Sequence, residues 1–428
     1  MLDRKWIVEN ATAVEANAAK RLVKVDVARF VALEKQRLEL LQQVEAARAE
    51  SNALAKDNSI SVDDKRAKGA ALKQQVADLQ AKLTPVEEEA QALYVQIPNM
   101  TYAGSPAGGE EESADIARGK TPVPTFAFEP KDHMALLEGL GMVNVTAAAK
   151  VSGAGFYYFT GQGALLEMAL TRFAIDHVMK SGYSPTITPD LARDALMQGA
   201  GFVPRGNESN TYHLEGYDLN LIATSEITLV GMMADEVLEL NKPVKLAGLS
   251  HCFRSERAHG SATKGIYRVH QFTKAEMVVV CKPEEAESTH LEMRRLEQEI
   301  FDALEIPYRV LEIAAGDLGA AAYRKFDLEA WMPAREVGGK RGTWGEITST
   351  SNCLDFQARR LNIKYRDAAG KLQFAHTLNG TALSVCRAMI ALVENHQQAD
   401  GSIALPKALQ PYMGSQTHLR KAQEKSAA

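Results

Sequence analysis

The sequence predicts an α+β protein: a long antiparallel two-helix coiled-coil arm, then a domain built on an antiparallel sheet flanked by helices. Three observations carry this. Leu72, Val76, Leu79, Leu83, Val86, Ala90, Leu93 and Ile97 repeat with spacings that alternate four and three, which is a heptad seam. "IPNMTYAGSPAGGEEESADIARGKTPVP" (97–124) then breaks the pattern with Pro, Gly and an acidic run and reads as a linker. Beyond it, strand-like runs gather with hairpin-type connections and helical segments lie between them, as in an α+β domain. The expected domains are residues 1–110 and 111–428.

The arm comes first. Phe30, Leu33, Leu40, Val44, Ala47 and Leu54 give a looser seam that matches the first. The polar turn "KDNSISVDD" (56–64) separates the two, so the helices fold back as an antiparallel hairpin. At about 1.5 Å per residue the arm reaches roughly 45–50 Å. Pro85 lies inside the second seam and should kink it locally. A hairpin this thin buries little. It is either a dimerisation or spacer coiled coil, or an arm that reaches a large partner. Arg48, Lys56, Lys65, Arg66, Lys68 and Lys73 outnumber the acids near the tip, and Asp78, Glu87, Glu88 and Glu89 face only Lys82 nearer the base. A basic tip suits a polyanion.

Composition narrows the class. A length of 428 residues allows two or three domains. A formal charge of −5 argues against a protein whose whole surface binds nucleic acid and leaves room for a local basic site. Cys252, Cys281, Cys353 and Cys386 form no CxxC pair, which disfavours structural zinc or a disulfide framework and fits a reducing compartment. "MLDRKWIVEN" lacks the apolar core of a signal peptide, and no apolar run approaches a membrane span. A cytoplasmic protein without membrane segments is expected. No P-loop and no strand–GxGxxG–helix unit is present, so the common nucleotide folds are disfavoured.

The candidate site begins at "FRSERAHGSATKGIYRVHQFTKAE" (253–276). It carries Arg254, Arg257, Lys264, Arg268 and Lys274, with no acid between Glu256 and Glu276. Alternation places Ser250, Cys252, Arg254 and Glu256 on one face of a strand. In the returning strand Arg268, His270, Phe272, Lys274 and Glu276 share a face, and the loop "RAHGSATKG" joins the two. A solvated ribbon with cross-strand ion pairs is one reading. Two details favour a site. The strand continues into the apolar run "EMVVVC", and charges on a central strand are rarely left without partners. Phe272 also interrupts the charged row, and an aromatic face beside arginines suits a purine attached to phosphates.

Two further stretches can converge on it. "WGEITSTSN" (344–352) puts Glu346 and Ser349 in a strand-like run. A carboxylate beside phosphate clamps is a candidate Mg²⁺ ligand, or else an ion-pair partner. "HTLNGTALSVCRAMIALVENHQ" (376–397) reads as strand, Asn-Gly turn and helix, with Asn379 or Thr381 as cap and Arg387 in the second turn. A cation gains nothing from a positive helix end. Arg387 therefore has a specific anionic partner, either a buried Glu or a phosphate.

These stretches together resemble motifs 2 and 3 of class II aminoacyl-tRNA synthetases. "ALLEMALTRFAIDHVMKSG" (164–182) leading to "YSPTITPDL" resembles motif 1. Within that class the likeness is to seryl-tRNA synthetases of the bacterial cytoplasmic or organelle type. It runs through nearly the whole chain, in order: "MLDRKWIVEN", the arm, "IPNM", "PKDH", "AAAKVSG", "TSE", "FRSE", "HQFTKAEM", "EITSTSN", "DFQARR", "HTLNGTALSVCRAMIALVEN" and "PYMG".

The resemblance implies a homodimer that joins L-serine to serine tRNA through a seryl-adenylate, with ATP and Mg²⁺. It also implies an arm (30–97) that grips the long variable arm of serine tRNA, and serylation of selenocysteine tRNA where that exists. By position it implies Arg254, Ser255, Glu256, Arg268, Val269, Phe272, Glu346, Ile347, Thr348, Ser349 and Arg387 at ATP. Arg254, Arg387 and Glu346 would be catalytic, and Glu346 with Ser349 would hold Mg²⁺. Thr224, Ser225, Glu226, Arg254, Glu276, Asn379 and Thr381 would bind serine. Ser225 stands in place of the usual Ala, and Ala382, Ser384 and Cys386 stand where small residues, often Gly or Ala, are common in bacterial members. Two rivals are a relative that loads a small amino acid on a carrier protein and a non-catalytic RNA-binding protein with a decayed core. The long seam and scattered cysteines oppose the first, and the intact charged set opposes the second. The polar tail 415–428 has no readable role and reads as frayed.

Overall fold

The computed structural model describes residues 1–57, 59–202, 210–256 and 265–421. The chain divides into two compact units, Met1–Thr101 and Tyr102–Ala428.

The first unit holds α1 (Arg4–Glu9), α2 (Ala11–Lys20), α3 (Val27–Lys56) and α4 (Val62–Tyr94). Asp26 caps α3 by accepting from the Arg29 N–H, and Ser61 caps α4 by accepting from that of Asp64. Leu33, Leu40 and Val44 of α3 meet Leu79, Leu83, Val86 and Ala90 of α4 along the expected seam. Its two ends differ from expectation. Phe30 and Ile97 leave the seam for a separate cluster at the base, with Leu2, Ile7, Val14, Val27 and Tyr94. There Phe30 stacks on Tyr94 at 5.5 Å between ring centroids. Sequence reasoning missed α1 and α2 because each is short and buries few apolar side chains. Helix α4 runs unbroken through Pro85. The turn lies between Lys56 and Val62, with Asn58 outside the described residues.

The second unit is organised by an eight-stranded sheet: β1 (Ala114–Arg118), β2 (Ser184–Ile187), β3 (Val244–Phe253), β4 (Gln271–Cys281), β5 (Tyr308–Glu312), β6 (Arg324–Val337), β7 (Lys340–Asn352) and β8 (His376–Ser384). The spatial order is β1-β5-β6-β7-β8-β4-β3-β2. Every pairing is antiparallel except β2 with β3. The segment read as a linker is thus partly structural, since β1 closes one edge of the sheet. Five residues between Gly- and Pro-rich flanks are too few to show an alternation.

Five helices matter for the site: α5 (Gln162–Met179), α6 (Glu226–Gly231), α7 (Ala286–Ala303), α8 (Phe356–Leu361) and α9 (Val385–Asn395). The period of two along β4 separates two cores. Ala275, Met277, Val279 and Cys281 join the large core with Leu170 of α5, Phe301 of α7 and Met389 of α9. Val278 and Val280 join a second core with Leu229 of α6 and Ala358 of α8. On that second face, the preceding positions Lys274 and Glu276 line an open cleft instead, and Phe272 borders the same cleft while also packing in the large core.

Two expectations are corrected here. There is no Asn-Gly turn at 379–380, because β8 runs on to Ser384 and Gly380 pairs with both Thr350 and Met277. A Cβ at Gly380 would lie 2.7 Å from Thr350 Oγ1 and 3.0 Å from Glu297 Oε1, so the glycine permits a close approach rather than a turn. Ser384, not Asn379 or Thr381, precedes α9, and Arg387 falls in the first turn. The start of the tail, through residue 421, is structured rather than frayed. His418–Leu419 pairs with Ile403–Ala404, and Leu419 is buried. Residues 422–428 lie outside the described residues. No described helix is long and apolar enough to cross a membrane.

Candidate active site

The cleft lies on the second face of the sheet, where α6 and α8 no longer cover β4 and β8. Its arginines come from three places. Arg254 follows the end of β3, where its N–H donates to the His270 carbonyl at 2.9 Å. Arg268 precedes β4, and Arg387 projects from the first turn of α9. The strict alternation expected through Arg268 and His270 does not hold, because β4 begins only at Gln271. His270 is instead stacked on Phe156 at 5.1 Å. Glu256 sits at φ 48°, a left-handed conformation uncommon for a residue with a side chain. Asn210 fixes this turn by accepting from the Glu256 N–H at 2.6 Å.

Each arginine is oriented by a neighbour. The Arg254 guanidinium lies 5.2 Å from the Phe272 ring centroid. Arg268 stands 3.6 Å from Glu256. Arg387 contacts the Glu346 carboxylate and its backbone carbonyl, both at 3.1 Å, and lies 4.8 Å from the Tyr267 ring centroid. Tyr267 itself donates to the Glu346 carbonyl at 3.2 Å. Arg387 thus has an anionic partner on a neighbouring strand, as its place in a positive helix end requires. Burial pushes the Glu346 carboxyl up, but Arg387, Lys325 and Arg254 outweigh this and hold it below its usual range. Its side chain stays 43% exposed to the open cleft, so solvent softens both effects, and the three cations set the direction.

Two buried carboxylates form the other end of the cleft. Glu226 opens α6, and its Oε1 accepts from the Gln357 amide at 2.6 Å and the Asn379 amide at 2.8 Å. Burial is the main cause that lifts its carboxyl to about 7. The Gln357 bond opposes that rise, and the nearby Glu276 charge adds to it. Glu276 in β4 is contacted by Lys274 Nζ at 2.5 Å and accepts from the Thr381 hydroxyl at 3.2 Å. Thr224 supplies a hydroxyl beside them, and it accepts from the Glu226 N–H at 3.3 Å.

The structure therefore brings Arg254, Glu256, Arg268, Val269, Phe272, Glu346, Ile347, Thr348, Ser349 and Arg387 into one cleft with Thr224, Glu226, Glu276, Asn379 and Thr381. It does not bring Ser255 or Ser225 to the cleft wall. The Ser255 hydroxyl donates to Asn210 at 3.2 Å. Ser225 is fully buried and packs toward Gly248 of β3. The Thr348 hydroxyl is committed to Glu297 of α7 at 3.1 Å. Residues 257–264 of the "RAHGSATKG" loop lie outside the described residues. Sequence reasoning gave Lys274, Tyr267 and Gln357 no role at the site. Alternation placed Lys274 between Phe272 and Glu276 and could have included it. Nothing local marked Gln357, which reaches Glu226 from α8.

Chemically, the cleft pairs a cationic, aromatic-walled half with a carboxylate-lined half. The first suits a nucleoside polyphosphate. The second suits a small molecule with an ammonium and a hydroxyl.

Comparison with known proteins identifies the family. Residues 1–101 match the family model described as the seryl-tRNA synthetase N-terminal domain. Residues 212–396 match that of the tRNA synthetase class II core domain (G, H, P, S and T). Serine–tRNA ligase of Rhodopirellula baltica is 48% identical over 97% of this chain and 98% of the relative. That of Rubrobacter xylanophilus is 49% identical over 97% and 98%. Among solved structures, seryl-tRNA synthetase from Pyrococcus horikoshii complexed with ATP superposes with a TM-score of 0.88 at 35% identity, covering 99% of this chain and 100% of that one. With an arm unit and a core that both match along nearly their whole length, the chain belongs to the seryl-tRNA synthetase family.

Proposed function

We propose that this chain is a serine–tRNA ligase: it activates L-serine with ATP as seryl-adenylate and pyrophosphate, then passes serine to the 3′ end of serine tRNA. The observation that carries this is the convergence of Arg254, Arg268 and Arg387 with Phe272 and Glu346 beside the Glu226–Glu276 pair in one cleft.

Each residue has a role in this reading. Phe272 stacks on adenine and Glu256 contacts its edge. Ser255, Val269, Ile347 and Thr348 belong to the same ATP site, with Ser255 acting through the Asn210-held turn and Thr348 through its backbone. Arg268 and Arg387 clamp the γ-phosphate, and Arg254 holds the α-phosphate and the serine carboxylate. Glu226 takes the serine ammonium with Thr224 and Asn379, while Glu276 and Thr381 take the hydroxyl. Ser225 supports that loop from below.

The attacking serine carboxylate is already ionised above pH about 4, so no general base is needed. Catalysis reduces to alignment and charge stabilisation, which fixed guanidinium groups supply. The cleft offers Glu346 and Ser349 to Mg²⁺. Two oxygen donors are few for a protein-held cation, and they fit Mg²⁺ that takes its other ligands from substrate phosphates. When bound, that ion neutralises phosphate charge. Exclusion of alanine follows from leaving Glu276 and Thr381 without the hydroxyl.

Residues 1–110 are assigned to tRNA binding and 111–428 to catalysis, with the arm (30–97) gripping the long variable arm of serine tRNA. Selenocysteine tRNA, where present, is a second acceptor. The partner in a homodimer would cover the apolar face opposite the cleft. A hollow of about 980 Å³ lies there, between α5 and β3 and β4. Met168 is 66% exposed and Ile187 is 87% exposed on that side. Sedimentation should give twice the mass of one chain, and a monomer would contradict this. A cytoplasmic location fits four cysteines buried as thiols. The test of the function is charging: with ATP, Mg²⁺ and labelled serine, purified serine tRNA should become acid-precipitable label. No transfer to that tRNA would refute the reading.

A further inference from the structure

Lys274 is a buried cation in the cleft floor that none of the roles above uses. It lies in β4 between Phe272 and Glu276, and all three line the cleft. Its side chain is 7% exposed, that of Glu276 is 3% exposed, and Nζ stands 2.5 Å from Glu276 Oε2. The Thr381 hydroxyl donates to the same oxygen. The cross-strand neighbours of Lys274 are Ser250 and Ser384, neither of them charged. Glu226 is held differently, because its carboxylate accepts from the neutral amides of Gln357 and Asn379. One carboxylate of the pair thus carries its own cation in direct contact, and the other is hydrogen-bonded by neutral donors, although the Lys274 charge also reaches it.

We propose that Lys274 is a specificity-determining positioning residue, which by pairing with Glu276 makes that carboxylate an acceptor for a neutral substrate hydroxyl and leaves Glu226 to take the substrate ammonium. The proposal rests on the reading of this cleft as a serine site. Charge separates the two carboxylates. The Lys274–Glu276 pair is neutral as a unit, so a hydroxyl can still donate to the carboxylate. A substrate side chain bearing a second ammonium meets Lys274 at close range and is repelled. Without Lys274, Glu276 becomes a buried carboxylate lacking a cation, which a second ammonium suits better than a hydroxyl.

The test is ATP–pyrophosphate exchange with L-serine, L-alanine and L-2,3-diaminopropionate, in which an ammonium replaces the hydroxyl. Lys274→Met should raise KM for serine roughly 10- to 100-fold while KM for ATP stays within about twofold, the scale of one charge-assisted hydrogen bond. The preference for diaminopropionate relative to serine should rise by roughly tenfold or more. Lys274→Arg should restore most of the serine preference, since it restores the charge. Should Lys274→Met fold poorly, the double variant Lys274→Met/Glu276→Gln replaces it, and its serine KM should lie within about threefold of Glu276→Gln alone. An equal loss for all three amino acids, a parallel rise in KM for ATP, or an additive double variant would overturn the role of Lys274. Absence of serine-dependent exchange in the unmodified protein would instead overturn the serine reading itself.

Discussion

Arg387 occupies the first turn of α9, where a cation meets the positive end of a helix. Its place there is supported by Glu346 and by the Tyr267 ring. If its work is to clamp phosphate, Arg387→Ala should lower pyrophosphate exchange by about 10²–10³-fold, as loss of one preorganised donor does elsewhere. The variant should remain folded by sedimentation and circular dichroism. Near-normal exchange would remove Arg387 from the phosphate site. Glu226 gives a second expectation. Its carboxyl titrates near 7 in the free protein, and only the ionised form attracts an ammonium. Thus kcat/KM for serine should fall about tenfold per pH unit below 7, while kcat at saturating serine stays flatter because a bound ammonium lowers that value. Gln357→Leu removes an opposing bond, so the limb should move to higher pH. A limb near 4.5 would contradict the burial argument. The sign for stability is the reverse: the folded value is raised, so the contribution of Glu226 to stability falls as pH climbs from 4.5 to about 7. At this scale, most of the site was legible because charges recur along a central strand only where a ligand or a counter-charge meets them. Gln357 was not legible, because its role exists only when α8 packs beside α6. Ser225 and Ser255 show the limit of inference by position: both sit in matching stretches, yet both side chains turn from the cleft.

Among the elements, the arm followed its seam closely in the middle and departed at the ends. A period of three and four specifies which faces meet. It does not say where one partner helix hands over to α1 and α2, which is why Phe30 and Ile97 were assigned to the wrong cluster. β1 and β8 teach the same point from the sheet side. A five-residue edge strand has no pattern until β5 supplies its partner. An Asn-Gly pair usually signals a turn, but inside β8 the glycine answers the crowding of Thr350 and Glu297. The arm also carries a test. Cutting residues 30–97 to a short turn should leave serine-dependent exchange near normal and abolish charging of serine tRNA. The two readouts come from the same preparation. Unchanged charging would show that the arm does not hold the tRNA.

For the molecule as a whole, the proposed reading divides the labour between a cleft that would join serine to a nucleotide and an arm that would hold the nucleic acid. The net charge of −5 is compatible with this because a local group of cations at the cleft and near the arm tip does not require a basic surface overall. Fold class and the order of the two units were readable from period and composition. The opening of the cleft was not, because it depends on where α6 and α8 stop covering the second face of the sheet. In the proposed reading the carboxylate-lined half decides which amino acid enters, so the choice of amino acid is the property to measure. ATP–pyrophosphate exchange with each of the twenty amino acids should show serine alone giving strong turnover. Equal exchange with alanine, or exchange with another amino acid and none with serine, would contradict it.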